Sequence, residues 1–163
     1  RETIDYIVFN RGPGSFTGTR VASSVIQAIA YTHNIPVIGI SSMWLMAFQA
    51  SRIRQLDQYC CIKHAYGEMI YTSHFSSPLD KNNTNVKLIK ESELSIKDDE
   101  NVVIEDSTLV KMFNLKHPNI INLSEHSKSL DAISQIEALE SNDYKEKNFN
   151  LKTTLPDYAD HEV

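Results

Sequence analysis

Four groups of residues in this 163-residue chain have the types or spacing that chemistry requires. The first is the run Asn10-Arg11-Gly12-Pro13-Gly14-Ser15-Phe16-Thr17-Gly18-Thr19-Arg20. A glycine-rich turn that opens a helix can hold an anion on the unpaired amides of the first helical turn. A phosphate loop of the Walker type, however, needs Lys followed by Ser or Thr after its second glycine. No lysine lies near this turn, and the dinucleotide pattern GxGxxG fails because Thr17 stands where its third glycine belongs. The run is therefore expected to position backbone, with no nucleotide hydrolysis. Ser15 is not a nucleophile by this reading, because Gly14 directly precedes it and the GxSxG elbow is absent. The second group is the six histidines, His33, His64, His74, His117, His126 and His161. They are far apart in sequence, and no HExxH or HxxxH pair puts two imidazoles on one helical face. No metal and no cofactor are expected. The third is the adjacent pair Cys60 and Cys61, whose side chains point to opposite faces of a strand and cannot form a structural disulfide. Both are read as reduced packing residues, with oxidation sensing as the lesser alternative. The acidic clusters Asp98-Asp99-Glu100 and Glu105-Asp106 form the fourth and read as solvated turns at strand ends.

The elements that must position these residues alternate between strand and helix, the mark of an α/β architecture. A strand is expected over residues 4–9. A helix over 16–33 follows, capped by Ser15 or Thr17. It carries Val21, Val25 and Ile29 on one stripe and Ala22, Ile26 and Ala30 on the next. A helix so nearly uncharged is either sealed in a core or pressed against a partner. A buried strand over 35–40 leads to a second helix begun by Ser41 or Ser42. Its Met43-Trp44-Leu45-Met46-Ala47-Phe48 run reads as core first and as an adaptable binding surface second. Further strands are expected over 58–62, 68–75, 86–89, 102–105 and 120–123, with a helical turn over 91–94. The polar segment 76–85 is an exposed loop. A helix over 127–140 repeats Leu130, Ile133, Ile136 and Leu139, and the tail 142–163 is polar. Residues 1–55, completed by 124–163, form a first unit, and 56–123 a second, smaller one.

Composition is that of an ordinary globular chain, 41% hydrophobic and 23% charged. A net charge of -5 and a pI near 5.6 argue against unaided binding of nucleic acid, which requires clustered Lys and Arg. No apolar run approaches the roughly twenty residues of a membrane helix and no signal-peptide pattern opens the chain, so a cytoplasmic location is expected.

The segment NRGPGSFTGTR, residues 10–20, closely resembles the signature of the TsaB (YeaZ) family of bacterial tRNA threonylcarbamoyladenosine synthesis. The order of strand, loop, helix, the segment Ile35-Pro36-Val37-Ile38-Gly39-Ile40-Ser41 and Gly67-Glu68 is similar as well, with an echo at Leu155-Pro156-Asp157-Tyr158. The chain departs from the family at Lys63-His64-Ala65, where members carry Asp-Ala-Arg, and at Asp160, where an Arg usually follows. It also opens at Arg1, just before the signature strand, and reads as N-terminally truncated, a fragment with an open sheet edge. The resemblance implies a two-unit actin-like, sugar-kinase-like fold (ASKHA, ribonuclease H-like). It implies a non-catalytic scaffold that supports a catalytic TsaD subunit, with a TsaE ATPase attached, tRNA reached only through the complex, and homodimerisation possible without a partner. Gly12, Gly14 and Gly18 would set the loop, Ser15 and Thr17 the cap, and Val21, Ala22, Val25, Ile26 and Ile29 the partner or dimer interface. The alternatives are a nucleotide-binding ATPase of the same fold or a glycopeptidase-like peptidase.

Overall fold

The computed structural model describes residues 4–80, 85–97, 99–126 and 132–140. The expected tail 142–163, with Leu155-Pro156-Asp157-Tyr158 and Asp160, lies outside them, as does the first part of the expected helix 127–140.

Strands β1 (Ile7–Gly12) and β2 (Val37–Ser41) pair in parallel, with Ile7 opposite Val37 and Phe9 opposite Gly39. Both start and end later than the sequence pattern predicts. The reason is Pro36: it has no N–H to donate, so the ladder begins where its carbonyl accepts the Ile7 N–H at 2.9 Å. Between the two strands runs α1 (Phe16–His33), which ends at Asn34 in the left-handed conformation (φ 50°), a residue type tolerant of that geometry. After β2 comes α2 (Ser42–Ile53).

A second sheet has the order β5-β4-β3-β6-β7. β3 (Gln58–Tyr66) and β4 (Met69–Ser76) form an antiparallel hairpin, turned through Gly67 at φ +54°. β5 (Lys87–Lys90) extends it on the β4 side. β6 (Val102–Ile104) and β7 (Ile120–Asn122) run parallel to β3, joined by α3 (Thr108–Phe113). A parallel pair needs such a crossover, yet six residues are too few to show helical periodicity, and the sequence pattern missed it. The last described element is α4 (Ala132–Glu140), packed against β1 and α2.

Period-2 alternation divides β1 and β2 into two covered faces. Phe9 and Val37 pack with Ala30 and Ile26 of α1, while Val8, Ile38 and Ile40 face α2. The other side of α2 meets the five-stranded sheet through Tyr59, Cys61, Phe75 and Val103. Met43 to Ala50 of α2 are therefore buried all round, with Trp44 stacked on Phe48 at 5.4 Å between ring centroids. Over these eight residues the helix is core. The outer face of the large sheet, with Cys60, Ile62, Ile70, Val102 and Ile104, is covered by Leu109 of α3 and neighbouring apolar residues.

Candidate functional site

The glycine turn links β1 to α1. Gly12 is buried at φ +99°, a backbone angle that favours glycine, and its N–H donates to Asn10 Oδ1 at 2.9 Å. The Pro13 carbonyl accepts a buried 2.7 Å hydrogen bond from Ser42 Oγ, which ties the turn to the start of α2. Ser15 is the N-cap: its Oγ accepts from the Gly18 N–H at 3.2 Å. Thr17 lies inside the first helical turn and is not the cap. A Cβ on Gly18 would stand 3.2 Å from Ser15 Oγ, so the cap and a bare position 18 belong together. Gly14 differs from the expectation, since a Cβ there meets nothing within 4 Å and its φ is not positive. These bonds hold the turn to itself and to α2, an arrangement that aims a helix.

What the turn aims is α1, about 27 Å long at 1.5 Å per residue. Its inner side rests on β1 and β2. On its outer side Val21 (56%), Val25 (52%) and Ile29 (42%) remain exposed, with exposed Thr17, Gly18, Ser24, Ala28 and Thr32 filling the spaces between them. No charged residue occurs from Val21 to Thr32. At the N-terminal end Phe16 is 72% exposed under the Arg20 guanidinium, 3.3 Å from the ring centroid. Of the five expected interface residues the structure brings Val21, Val25 and Ile29 to this face; Ile26 turns inward against the Phe9–Val37 cluster and Ala22 is half-buried.

Two further groupings lie on the outer face of the large sheet. At the carboxyl ends of β3 and β6, a cavity of about 200 Å³ is lined by Lys63, His64, Glu105, Asp106, Thr108 and Met112 among others. Lys63 Nζ pairs with Glu105 Oε2 at 2.8 Å, so the position where the resembled family carries Asp-Ala-Arg here holds an ion pair. Hydrogen bonds from the side chain and backbone of Thr108 keep the Asp106 carboxyl below its ordinary value. At the other end of β3, Cys60 sits directly opposite His74 of β4, and Glu100 enters from the turn before β6. His74 is thus not isolated among ligand-type residues, contrary to the expectation from sequence spacing. The signal was the hairpin register, which spacing along one chain does not display. Cys60 and Cys61 are both free and buried. Burial pushes the Cys60 thiol up to about 11, an effect that the hydrogen bond with Thr72 opposes and the Glu100 charge reinforces; burial raises Cys61 further from reactivity. Neither thiol is a nucleophile at neutral pH.

The model of the family described as "TsaD: tRNA N6-adenosine threonylcarbamoyltransferase" matches residues 1–98. The TsaB protein of Haemophilus influenzae is 37% identical over 70 residues, covering 43% of this chain and 30% of that protein. TsaB of Escherichia coli is 41% identical over 49 residues, covering 30% and 21% respectively. The matched stretches therefore span about a third or less of these curated relatives. Among solved structures, YeaZ from Pseudomonas aeruginosa superposes with a TM-score of 0.69 at 19% identity, covering 95% of this chain and 74% of that one. The layered α/β arrangement, with α1 aimed by the glycine turn, is that of the actin-like ASKHA class. Within that class, the chain belongs to the TsaB/YeaZ family. Among the described residues, no helix is long and apolar enough to cross a membrane.

Proposed function

We propose that this chain is a non-catalytic partner subunit in bacterial tRNA threonylcarbamoyladenosine formation, and that it docks a TsaD-like catalytic subunit on the outer face of α1. The observation that carries this reading is the uncharged stripe Val21–Val25–Ile29, left open on a helix whose other side is sealed by β1 and β2. Apolar area of this kind is stabilised when a second surface removes it from water. Family membership supplies the occupant, since the relatives are named for threonylcarbamoyladenosine biosynthesis. In this reading the first unit, 1–55 with 124–163, carries the partner face, and the second, 56–123, stands away from it. A TsaE-like ATPase joins the assembled pair, and tRNA is reached through the complex, in keeping with the net charge of -5.

The test mixes the purified chain with the TsaD-like subunit of the same cell. A stable 1:1 complex by light scattering, and threonylcarbamoyl transfer to tRNA only when both are present, is the expected result. Transfer by the chain alone refutes the scaffold reading. A stable homodimer that does not open to the TsaD-like subunit assigns the face to a second copy instead.

A further inference from the structure

The chemistry-bearing residues that the partner reading leaves unused converge at one place. Cys60 lies on β3, His74 directly opposite it on β4, and Glu100 in the turn that feeds β6. The three side chains point to the outer face of the sheet, away from α2. Cys60 Sγ is 4.0 Å from His74 Nε2, and His74 Nδ1 is 3.4 Å from Glu100 Oε1. Taking one ligand atom from each residue, all three lie within 4.8 Å of one another.

From this convergence we propose that Cys60, His74 and Glu100 form a site for a borderline-soft divalent cation of the zinc class. One thiolate, one imidazole and one carboxylate make up a donor set that suits such an ion, and three protein ligands leave the fourth tetrahedral position to solvent. Bond lengths of about 2.0–2.3 Å to a tetrahedral ion put ligand atoms roughly 3.3–3.8 Å apart, so the residues stand within about 1.5 Å of closing. The side chain best placed to shift is the exposed one. His74 is 57% exposed, whereas the Glu100 side chain is only 11% exposed and Cys60 is buried.

Glu100 is already oriented. Its Oε2 accepts the Lys97 N–H at 3.1 Å, which fixes the carboxylate and turns Oε1 toward His74. A carboxylate so nearly removed from water is costly unless a positive charge compensates it, and a divalent cation beside Oε1 provides such a charge. On binding, the Cys60 thiol gives up its proton to solvent and the sulfur becomes the thiolate ligand. The ion would tie the hairpin to the β6 turn. This inference does not depend on the role of α1.

The experiment titrates the reduced full chain, stripped of metal by a chelator, with Co(II) alone, followed by displacement with Zn(II). One Co(II) per chain, with a near-ultraviolet thiolate-to-cobalt charge-transfer band and visible bands of tetrahedral intensity, is expected. Cys60→Ala should abolish the charge-transfer band, while His74→Ala and Glu100→Gln should each weaken binding by at least about tenfold. His74→Ala changes an exposed side chain and keeps the test valid should the buried substitutions disturb folding. His33→Ala, on an exposed histidine in the last turn of α1, should titrate like the parent chain. The proposal is overturned by the absence of a charge-transfer band in the parent chain, by a band that survives Cys60→Ala, by parental affinity in His74→Ala, or by equal weakening in His33→Ala.

Discussion

Replacing Val25 with glutamate separates partner capture from folding more cleanly than any other change on α1. Val25 is 52% exposed, and complete burial of a valine side chain is worth at least about 1.5 kcal/mol, so covering the remaining half contributes about 1 kcal/mol. Val25→Glu forfeits that and leaves a carboxylate facing an apolar partner, a further cost of about 2–3 kcal/mol when no counter-charge is present. The sum of about 3–4 kcal/mol corresponds to a dissociation constant raised roughly 10²–10³-fold. The isolated chain should hardly notice, because an exposed helical substitution away from special features changes stability by about 0.5 kcal/mol or less. Calorimetric titration with the TsaD-like subunit measures the first quantity, and thermal unfolding by circular dichroism measures the second. Ile26→Glu is the wrong variant for this purpose, since Ile26 packs against Phe9 and Val37 and its loss would weaken the fold as well. A folded Val25→Glu chain that binds within threefold of the parent affinity refutes the docking face.

The glycine turn makes a paired prediction: Gly12→Ala forces a side chain onto φ +99° at about 1–3 kcal/mol and should lower the melting temperature by several degrees, while Gly14→Ala, with open space around it, should move it by about one degree or less. Ser15→Ala removes the acceptor for the Gly18 N–H and should cost about 1 kcal/mol in denaturant unfolding. For Asp106, whose folded-state carboxyl lies below its ordinary 3.8 because of the Thr108 hydrogen bonds, the stabilising contribution is complete above that value and is lost as pH falls through the lowered one. Asp106→Ala should therefore flatten the acid limb of stability against pH, and an unchanged limb counts against the assignment.

Local chemistry made much of this architecture legible. Ser15, the absence of charge and the apolar spacing place α1 at residues 16–33, where the structure has it. The strands were readable as elements but not to the residue, because Pro36 sets where the β1–β2 ladder begins and that effect acts between strands. α3 escaped because Thr108–Phe113 has less than two turns in which to show a period. The Cys60, His74 and Glu100 cluster escaped for a different reason. Its members are separated by 14 and 26 positions in the chain, and only the register of β3 with β4, together with the parallel docking of β6 on β3, brings them to one end of one sheet.

α1 and α2 show most directly why composition alone could not choose the proposed partner face. Both are poor in charge, and α2, with two methionines, Trp44 and Phe48 in eight residues, is the greasier. A sheet lies on each side of α2, and from Met43 to Ala50 nothing remains for a partner to touch. α1 has a sheet on one side only, so its milder stripe of Val21, Val25 and Ile29 stays open to water. Whether an apolar helix keeps a face open to water is thus decided by how many layers cover it, and layer order is a property of strand pairing. The residues between the exposed anchors, Gly18, Ser24 and Ala28, are small and exposed; under the proposed docking they would let a second helix approach closely, whereas larger side chains there would hold it off. Ala28→Leu should therefore weaken capture of the TsaD-like subunit even though it adds apolar area, and a tighter complex from that variant would show that area, not helix approach, governs the interface.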